Sequence, residues 1–439
     1  MQSDCRTCGN IRCCSRWLVR NTGECIGERN TMNEAFRAVQ ITDHVYWVGA
    51  IDWSIRDFHG YLTSRGSTYN AYLVLGEKNT LVDAVKAPLK EEMLSRIASV
   101  LAPEKIDYII SNHAEMDHSG ALFEVADVVH PEKIYASSLG NKTLIEHFHT
   151  DREITMVKDG ETCALGNLHF TFLESRMLHW PESMVTYLAE DKLLFSQDIF
   201  GMHLATGERF ADEIALHILN REAAKYYANI ILPYSQVVLR FLDKVKDCNL
   251  EIEVIAPDHG PVWRKNPLHI ISSYTKWAAQ KPTKKAVIVY DTMWNSTALM
   301  ADVLADGLME GGAAVKQMPL GTSHRSDVAT EILEAGALVV GSPTLNNNIF
   351  PTVADVMTYL KGLKPQNLCG AVFGSHGWSG EAIKQLVAFM KDMKVDLVAD
   401  PIKAKYVPDK DVLKYCHAVG KQLAERLAAL ADGDQDGIA

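Results

Sequence analysis

Short apolar runs alternate with stretches of helical spacing along most of the chain. From about Asn70, the apolar run Ala71–Leu75 is followed by a periodic segment between Leu89 and Leu101, and then by a second apolar run, Ile106–Ile110. Short runs rich in Val, Ile and Tyr are typical of strands, and apolar residues three to four positions apart are typical of helices. The alternation therefore predicts a sheet that is covered by helices.

The same alternation returns after a polar, proline-containing joint at residues 281–285. The strand candidates beyond the joint are Ala286–Tyr290, Ala314–Val315, Ala337–Val340, Ala371–Phe373 and Asp396–Val398. Segments with helical spacing begin between them, at Ala298, Asp327, Ala354 and Ala382. Strands that alternate with helices in this way predict a doubly wound parallel sheet.

These patterns divide the chain into four parts. We predict a Cys-containing N-terminal extension at residues 1–31, a first domain at 32–281, a second domain at 282–432 and a tail at 433–439. The cysteines of the extension are Cys5, Cys8, Cys13, Cys14 and Cys25. A metal knuckle would need a second well-spaced pair beside Cys5 and Cys8, so a poorly ordered extension is the favoured interpretation.

Composition and charge exclude several classes of protein. The 439 residues are 47% hydrophobic and 23% charged, which is typical of a globular protein. The formal charge of -11 provides no general positive field for nucleic acid or anionic lipid. No apolar run approaches the roughly 18 residues of a membrane span, and residues 1–31 lack the apolar stretch of a signal peptide. We therefore expect a cytoplasmic protein with no membrane or nucleic-acid partner.

Ionisable side chains crowd the segment that follows Ile106–Ile110. Four of them lie within residues 111–120, and this group alone could be a solvated polar turn. Three more follow later strand-like runs and are flanked by turn residues. The seven candidates are His113, Glu115, Asp117, His118, His179, Asp198 and His259. Because histidine and carboxylate side chains recur at strand ends, a metal site is favoured over a solvated turn.

This His-x-Glu-x-Asp-His spacing, with the later His, Asp and His, resembles the metallo-β-lactamase fold, an αββα sandwich with a two-metal site along one edge. Zinc hydrolases of that superfamily usually have histidine at the position of Glu115. A carboxylate adds negative charge and a hard oxygen donor, which favours iron over zinc. We therefore predict a dinuclear iron site, and a hydrolase with a passenger second domain is the disfavoured alternative.

The second domain contains a loop that is suited to a phosphate group. Residues 291–297 join the strand Ala286–Tyr290 to a helix, where backbone N–H groups and the helix dipole attract an anion. The loop offers hydroxyl groups but no Lys or Arg, and it lacks the glycine patterns of nucleoside-triphosphate and dinucleotide sites. If this loop is considered by itself, the start of an ordinary capped helix is the alternative to a phosphate site. A phosphate held by hydroxyl and amide groups is how flavodoxins bind FMN.

Two later loops strengthen the prediction of an FMN site. Residues 341–348 and 374–380 follow buried-looking strands, at the carboxyl edge where ligands collect in doubly wound sheets. Asn295 stands where flavodoxins often have Gly, and Asn tolerates a positive φ. The candidate FMN contacts are Thr292, Met293, Trp294, Asn295, Ser296, Thr297, Pro343, Thr344, Leu345, Asn346, Asn347, Ser375, His376, Gly377, Trp378 and Gly380.

The combination of these two domains resembles the flavodiiron proteins, also called A-type flavoproteins or rubredoxin:oxygen oxidoreductases. The likeness covers residues 35–430 and includes residues 56–61 (Arg-Asp-Phe-His-Gly-Tyr) and 258–260 (Asp-His-Gly). It implies that one iron is held by His113, Glu115 and His179, and the other by Asp117 and His259, with Asp198 bridging. These six residues are also the candidate catalytic residues.

The resemblance also bears on two other histidines. His118 is a ligand in some members of the family and is turned away from iron in others, and here we expect it to be a ligand. His59 lies in a segment that approaches the substrate side of the irons in the family. An isolated histidine is also commonly a satisfied core residue, so both interpretations of His59 stay open.

The resemblance implies a terminal reductase that passes electrons from rubredoxin, or a similar donor, through FMN to a diiron centre. Dioxygen reduced to water is the expected reaction, by likeness to the rubredoxin:oxygen branch, and nitric oxide reduced to nitrous oxide is the alternative. A flavin electron-transfer protein with a vestigial metal site is a distant alternative. No CxxC pair follows Cys416, so we expect a separate donor protein, with a deazaflavin as an open alternative. A head-to-tail homodimer, or a dimer of dimers, is also implied.

Overall fold

The computed structural model describes residues 35–433. The predicted extension at 1–31 lies outside these residues, as does the predicted tail apart from Gly433. Among the described residues, no helix is both long and apolar enough to cross a membrane. The boundary between residues 281 and 282 stays a prediction. The third sheet begins just after it, at Lys285.

The first domain contains two large sheets. Among the described residues, the first sheet has seven strands in the spatial order Val39–Gln40, Val45–Trp47, Tyr72–Val74, Thr80–Val82, Tyr108–Ser111, Lys133–Ser137 and Thr155–Val157. The second has five, in the order Thr162–Leu165, Leu168–Glu174, Met184–Leu188, Leu193–Gln197 and Val254–Pro257. The first four strands of the second sheet are antiparallel, and the last pair is parallel.

The two sheets pack face to face, and helices cover their outer faces. Tyr72 and Ile110 of the first sheet share the inner core with Phe195 of the second. Their neighbours Leu73 and Ile109 face the opposite way, into a core formed with helices. Both faces of these strands are therefore buried, which explains why they are almost continuously apolar. The arrangement confirms the predicted αββα sandwich.

The helices of this domain fall into two groups. Lys90–Ala98, Leu122–Val129 and Ser138–Phe148 cover the first sheet, and Leu216–Tyr226, Ser235–Asp247 and Pro267–Ala279 cover the second. The shorter elements are the helix Met116–Ser119, the π-helix Tyr227–Ile231, and the 3₁₀ turns Ala87–Leu89, Pro103–Lys105, Ala211–Glu213 and Leu232–Tyr234. Two small hairpins pair Ala50–Asp52 with Ser67–Tyr69 and Asp57–Phe58 with Tyr61–Leu62.

The second domain is built on a six-stranded parallel sheet. Its described strands run in the order Ala314–Pro319, Lys285–Tyr290, Ala337–Gly341 and Cys369–His376, with Asp396–Leu397 and Ile402–Lys405 both pairing with the last of these. Ser296–Glu310 and Lys410–Gly433 cover one face, and Arg325–Ile332, Pro351–Leu363 and Glu381–Asp392 cover the other. A small hairpin pairs Thr344–Leu345 with Asn348–Ile349. The doubly wound fold is confirmed, with Ile402–Lys405 as a strand that the sequence analysis did not predict.

The two domains share one apolar core. Tyr226 and Trp277 of the first domain belong to the same buried cluster as Val353 and Leu360 of the second. Polar contacts reinforce this packing. Tyr359 Oη donates a hydrogen bond to Asn229 Oδ1 at 2.7 Å across the interface. The two domains are therefore packed as a continuous body rather than joined only by a linker.

Candidate metal centre and flavin site

The seven metal candidates converge on one edge of the sandwich because they lie in the segments that connect strands at that edge. His113 and Glu115 lie just beyond the strand Tyr108–Ser111, and the short helix Met116–Ser119 carries the next two candidates. His179 precedes the strand Met184–Leu188. Asp198 directly follows the end of Leu193–Gln197, and His259 lies two residues beyond the end of Val254–Pro257. These two strands are adjacent and parallel.

The structure brings the seven side chains together as two clusters. His113, Glu115, His179 and Asp198 form the first cluster, and Asp117, His118 and His259 form the second. Within each cluster, one ligand atom from every residue lies within 4.8 Å of the others. All of these residues are buried except His179, which is partly exposed. Each cluster can therefore hold one metal ion.

Asp198 faces both clusters. Its Oδ2 atom lies 2.9 Å from His179 Nε2 and 3.3 Å from His113 Nε2, both in the first cluster. Its Oδ1 atom lies 3.1 Å from His118 Nε2 and 3.4 Å from His259 Nε2, both in the second. A carboxylate that turns one oxygen to each of two ligand groups has the geometry of a bridging ligand.

Buried polar atoms without partners indicate that cations fit here. Among the described residues, both carboxylate oxygens of Asp117, both ring nitrogens of His118 and Oδ1 of Asp198 have no hydrogen-bond partner. Burial of such groups costs free energy unless they are hydrogen-bonded or coordinate a metal. The charge pattern agrees. Burial raises the pKa of Asp198, but His118 and the other histidines outweigh burial and hold that pKa well below its ordinary value. The donor set therefore fits two metal ions.

His118 is turned toward the second cluster. Its Nε2 atom lies 3.4 Å from Asp117 Oδ1, and its ring packs against that of His259 with 4.6 Å between centroids. Its other ring nitrogen, Nδ1, lies 3.4 Å from a carboxylate oxygen of the fully buried Asp258. This orientation is compatible with the predicted ligation, which stays a prediction.

Sequence reasoning missed the residues that orient these ligands. Glu182 Oε1 lies 2.8 Å from His113 Nδ1, and the backbone oxygen of Thr68 lies 2.6 Å from His259 Nδ1. Such outer partners fix the ring orientation of a ligating histidine. Buried His203 also packs against His259, and its Nδ1 lies 2.8 Å from Ser67 Oγ. The only available signal was the position of Glu182 in the same short motif as His179.

His59 lies at an open cavity beside the first cluster. The cavity has a volume of about 430 Å³ and is lined by His59, Phe58, Lys86, Glu115 and Asp117, among others. The His59 side chain is 73% exposed, and its Nε2 atom lies 3.4 Å from Glu115 Oε1. His59 is therefore a residue of the cavity wall rather than a satisfied core histidine.

A second cavity lies at the carboxyl edge of the second domain. It has a volume of about 370 Å³. The predicted FMN contacts that line it are Met293, Trp294, Ser296, Pro343, Thr344, Leu345, Asn346, Asn347, Ser375, His376, Gly377 and Trp378. Ser379 and Tyr406 also line it and were not predicted, whereas Thr292, Asn295, Thr297 and Gly380 do not line it. The three predicted loops thus surround one pocket, whose aromatic and apolar walls suit a flat ring system.

The loop before the helix Ser296–Glu310 has the features expected of a phosphate site. Asn295 has φ of 63° in the left-handed region, so the chain turns sharply into the helix. Thr297 is fully buried, and its Oγ1 lies 2.9 Å from Ser375 Oγ. The hydroxyl groups of Thr292 and Thr344 are buried and have no hydrogen-bond partner among the described residues. The Thr292 hydroxyl group, which lies without a partner in the loop that leads into the helix N-terminus, fits a bound phosphate monoester.

A paired metal site in a β-lactamase-like sandwich, together with a flavin-type pocket in a doubly wound domain, defines a two-domain flavin- and metal-dependent oxidoreductase. Family models support both halves, since residues 68–260 match the ODP family beta lactamase and residues 288–420 match flavodoxin. The chain is 47% identical over 401 residues to the rubredoxin-oxygen oxidoreductase of Megalodesulfovibrio gigas, a match that covers 90% of this chain and 100% of that protein.

Two further proteins show the same likeness. The nitric oxide reductase of Moorella thermoacetica is 45% identical over 394 residues, which cover 89% of this chain and 99% of that protein. The crystal structure of the flavodiiron protein from Giardia intestinalis superimposes with a TM-score of 0.87 at 33% identity, covering 91% of this chain and 99% of that one. The chain therefore belongs to the flavodiiron protein family. The cofactors of that family, FMN and a diiron centre, match the pocket and the paired clusters described above.

Proposed function

We propose that this protein reduces dioxygen to water, with electrons that a rubredoxin-type donor supplies through FMN to two irons. The observation that carries the proposal is Asp198, whose two oxygens face two separate ligand clusters beside an open cavity. The 47% identity to a rubredoxin-oxygen oxidoreductase supports dioxygen as the substrate and rubredoxin as the donor. Cytoplasmic localisation is part of the same proposal.

In this proposal, His113, Glu115 and His179 would hold one iron, Asp117, His118 and His259 would hold the other, and Asp198 would contribute one carboxylate oxygen to each. When bound, the irons supply open coordination positions and electrons, and FMN replaces those electrons. The cavity beside Glu115 admits the gas. Reduction of dioxygen also consumes protons. Lys86 lines this cavity, and its Nζ donates a hydrogen bond to Tyr69 Oη at 2.5 Å, so the Lys86 ammonium group is a proton donor at the cavity wall.

Glu115 supports iron over zinc. Burial raises the pKa of this carboxyl, but hydrogen bonds from His113 and His179 outweigh burial and hold the pKa well below its ordinary value. Glu115 is therefore an anionic oxygen donor, which hard, oxidisable iron prefers more than zinc does. Elemental analysis of anaerobically purified protein tests this point. About two irons per chain are expected, and an active sample with two zincs and no iron would overturn the diiron proposal.

The proposal includes a head-to-tail homodimer in which the flavin of one subunit faces the irons of the other. The rim of the flavin pocket supports it, because Trp294 and Trp378 are each 89% exposed and Tyr406 and Val407 are also exposed. Large exposed aromatic side chains that line one pocket, as Trp294, Trp378 and Tyr406 do, are typical of an interaction surface. A partner subunit that covers this rim would bring the flavin close to its metal site.

A mixed dimer tests this arrangement. One subunit would carry Asp198→Ala, which disrupts the metal site, and the other would carry Thr297→Asp, which places a negative charge where the phosphate group binds. In a head-to-tail dimer, such a hybrid has one working pair of flavin and irons, so about half of the wild-type turnover per dimer is expected. Absence of turnover in hybrids with confirmed metal and flavin content would contradict the arrangement.

Nitric oxide is the second candidate substrate, because the chain is also 45% identical to a nitric oxide reductase. Both gases need an open cavity beside two ferrous ions. The deciding experiment adds each gas separately to the fully reduced enzyme, with rubredoxin and its reductase as electron supply. Faster turnover with dioxygen at matched low concentrations is expected. Faster turnover with nitric oxide, together with accumulation of nitrous oxide, would reverse the preference and leave the site assignment intact.

A further inference from the structure

The small hairpin Asp57–Leu62 carries His59 to the metal cavity. Its two short strands pair Asp57 with Leu62 and Phe58 with Tyr61, and the turn consists of His59 and Gly60. Both turn residues have positive φ, at 53° and 80°, as two-residue hairpin turns commonly require. Asp57, Phe58 and His59 all line the cavity beside Glu115. The position of this hairpin therefore defines one wall of the cavity.

A residue of the second domain is in direct contact with the tip of this hairpin. Arg325 Nε donates a hydrogen bond to the backbone oxygen of Gly60 at 3.1 Å, and Arg325 Nη1 pairs with Asp355 Oδ1 at 2.6 Å. A Cβ atom on Gly60 would lie 2.2 Å from Arg325 Nη2. A side chain on Gly60 would therefore displace the Arg325 guanidinium group, and the positive φ of Gly60 independently favours glycine at this turn.

Neighbouring residues add further attachments to the second strand of the hairpin. The backbone N–H of Leu62 donates a hydrogen bond to Ser326 Oγ at 3.2 Å. Lys225, whose side chain is only 5% exposed, pairs with Asp327 Oδ1 at 2.7 Å and lies over the Tyr61 ring. The start of the helix Arg325–Ile332 is therefore fixed beside the hairpin, and Arg325 is held in place by Asp355 from a second helix.

We propose that Arg325 is a positioning residue that holds the hairpin, and with it His59, at the metal cavity of its own chain. A hairpin with two residues in each strand is unstable by itself, so its position depends on what holds its tip. The turn of this hairpin makes a charge-assisted hydrogen bond to Arg325, which is stronger than a neutral one. The flavodoxin-like domain thus acts on the metal site of its own chain by shaping the cavity wall. The expected change in gas turnover rests on the proposed function, whereas the positioning of the hairpin by Arg325 does not.

Hydrogen exchange in the holoprotein tests the positioning directly. We expect Arg325→Ala to speed amide exchange in a peptide that covers residues 55–63 by roughly tenfold, since a hydrogen bond to a charged group is lost. Arg426→Ala is the matched control. Arg426 pairs with Asp396 in the same domain, so this substitution also removes an Arg–Asp pair. The lost pair lies far along the chain from the hairpin contacts. Unchanged exchange in residues 55–63 of Arg325→Ala would overturn the proposal, whatever the activity.

Two further variants separate positioning from general destabilisation. Arg325→Lys keeps the charge but lacks the planar group that reaches both Gly60 and Asp355, so intermediate exchange is expected. If Arg325→Ala fails to bind FMN and iron, the lysine variant becomes the test. An unchanged exchange rate in residues 55–63 of Arg325→Lys would then overturn the proposal. Asp355→Asn should also speed exchange in residues 55–63, because Arg325 loses its second anchor.

Turnover provides the second readout. Arg325→Ala and His59→Ala are each expected to raise the KM for the gas more than they lower kcat, and the double variant should be no worse than His59→Ala alone. Such non-additivity is the mark of two residues that act through one element. Additive effects would overturn the claim that Arg325 acts through the hairpin. If wild-type protein shows no gas turnover while exchange responds as expected, the proposed function fails and the positioning stands.

Discussion

The Nδ1 atom of His113 lies 2.8 Å from the Oε1 atom of Glu182, and both side chains are buried. The same carboxylate oxygen accepts a hydrogen bond from the backbone N–H of Ala114 at 3.1 Å. Burial raises the pKa of Glu182, but the hydrogen bond with His113 outweighs burial, so the pKa is lowered overall. Glu182 is therefore an anion that can accept the Nδ1–H of His113, which leaves Nε2, the atom that faces Asp198, as the nitrogen available to a metal ion.

Glu182→Gln should weaken metal binding without removing a ligand. Loss of such an outer partner typically costs about 10- to 100-fold in metal affinity. Competition between the protein and a calibrated chelator for ferrous iron measures the change, and the loss should be confined to one of the two sites. Glu190→Gln is the matched control, because Glu190 makes a similar contact to His169 Nδ1 at 2.7 Å on the protein surface. An equal loss in both variants would contradict the assigned role of Glu182.

Glu115→His should shift the metal content from iron toward zinc. The substitution replaces an anionic oxygen donor with a neutral imidazole, and such nitrogen-rich sets suit zinc. Elemental analysis after growth with both metals available should show the shift, together with loss of oxygen consumption. The exposed residue Glu132 provides the control variant Glu132→His, in which metal content should not change. Retention of two irons and full turnover by Glu115→His would contradict the ligand assignment.

Asn295→Val should weaken FMN binding by roughly tenfold or more, whereas Asn295→Gly should leave it nearly unchanged. Asn295 has φ of 63°, a conformation that disfavours residues other than Gly, Asn and Asp by about 1–2 kcal/mol. The strain would distort the loop that precedes the helix Ser296–Glu310. Titration of FMN fluorescence against flavin-stripped protein measures the affinity.

The control for this experiment is Asn249→Val. Asn249 has φ of 50° in an exposed loop of the first domain, so the substitution introduces comparable strain away from the flavin pocket. Thermal stability should fall in both valine variants, but only Asn295→Val should lose flavin affinity. Tight FMN binding by Asn295→Val would show that this turn does not position the phosphate-binding groups.

Acid should loosen the contact between the domains at His324. This residue precedes the helix Arg325–Ile332, and its Nδ1 accepts a hydrogen bond from the backbone N–H of Ser326 at 3.2 Å. Burial, and then the charges of Arg325 and Lys225, hold the pKa of His324 below its ordinary value of 6.5, although Asp327 and Asp57 oppose this effect. The folded protein therefore prefers the neutral ring, which is the form that can accept the bond.

The stabilisation by His324 should be complete above about pH 6.5 and should be lost as the pH falls from there toward the lower pKa of the folded state. We expect the free energy of unfolding to fall between pH 7 and pH 5.5, and less steeply in His324→Asn, which keeps a capping oxygen but does not titrate. Denaturant titrations at several pH values measure the difference between the two proteins. Parallel pH profiles would rule out this role of His324.

The strands and the seven metal candidates could be predicted because both are local features of the sequence. His113, Asp198 and His259 each stand three residues after the last position of an apolar run, so the end of the strand and the candidate side chain are read from the same segment. The strand Ile402–Lys405 was missed because it is short and lies at an edge of its sheet. Its buried Ile402 and Ala404 alternate with exposed Lys403 and Lys405, which weakens its apolar signal.

Contacts between distant segments could not be predicted from one sequence. Arg325 and Gly60 are 265 positions apart, and their contact depends on how two separately folded sheets pack. Glu182 was missed for a related reason. A glutamate near a histidine motif is usually a solvated residue, and only the fold shows that its carboxylate is buried against the His113 ring.

The apolar core that runs without interruption from Tyr226 and Trp277 into Val353 and Leu360 limits the kinds of motion available to this enzyme. Rotation of one domain against the other would expose large buried side chains to water, at a free-energy cost that grows with the apolar area exposed. The flavin pocket and the metal clusters of one chain are therefore held at a fixed separation. Within a chain, only loops and side chains around these two sites are free to move, so any gating of either site must come from them.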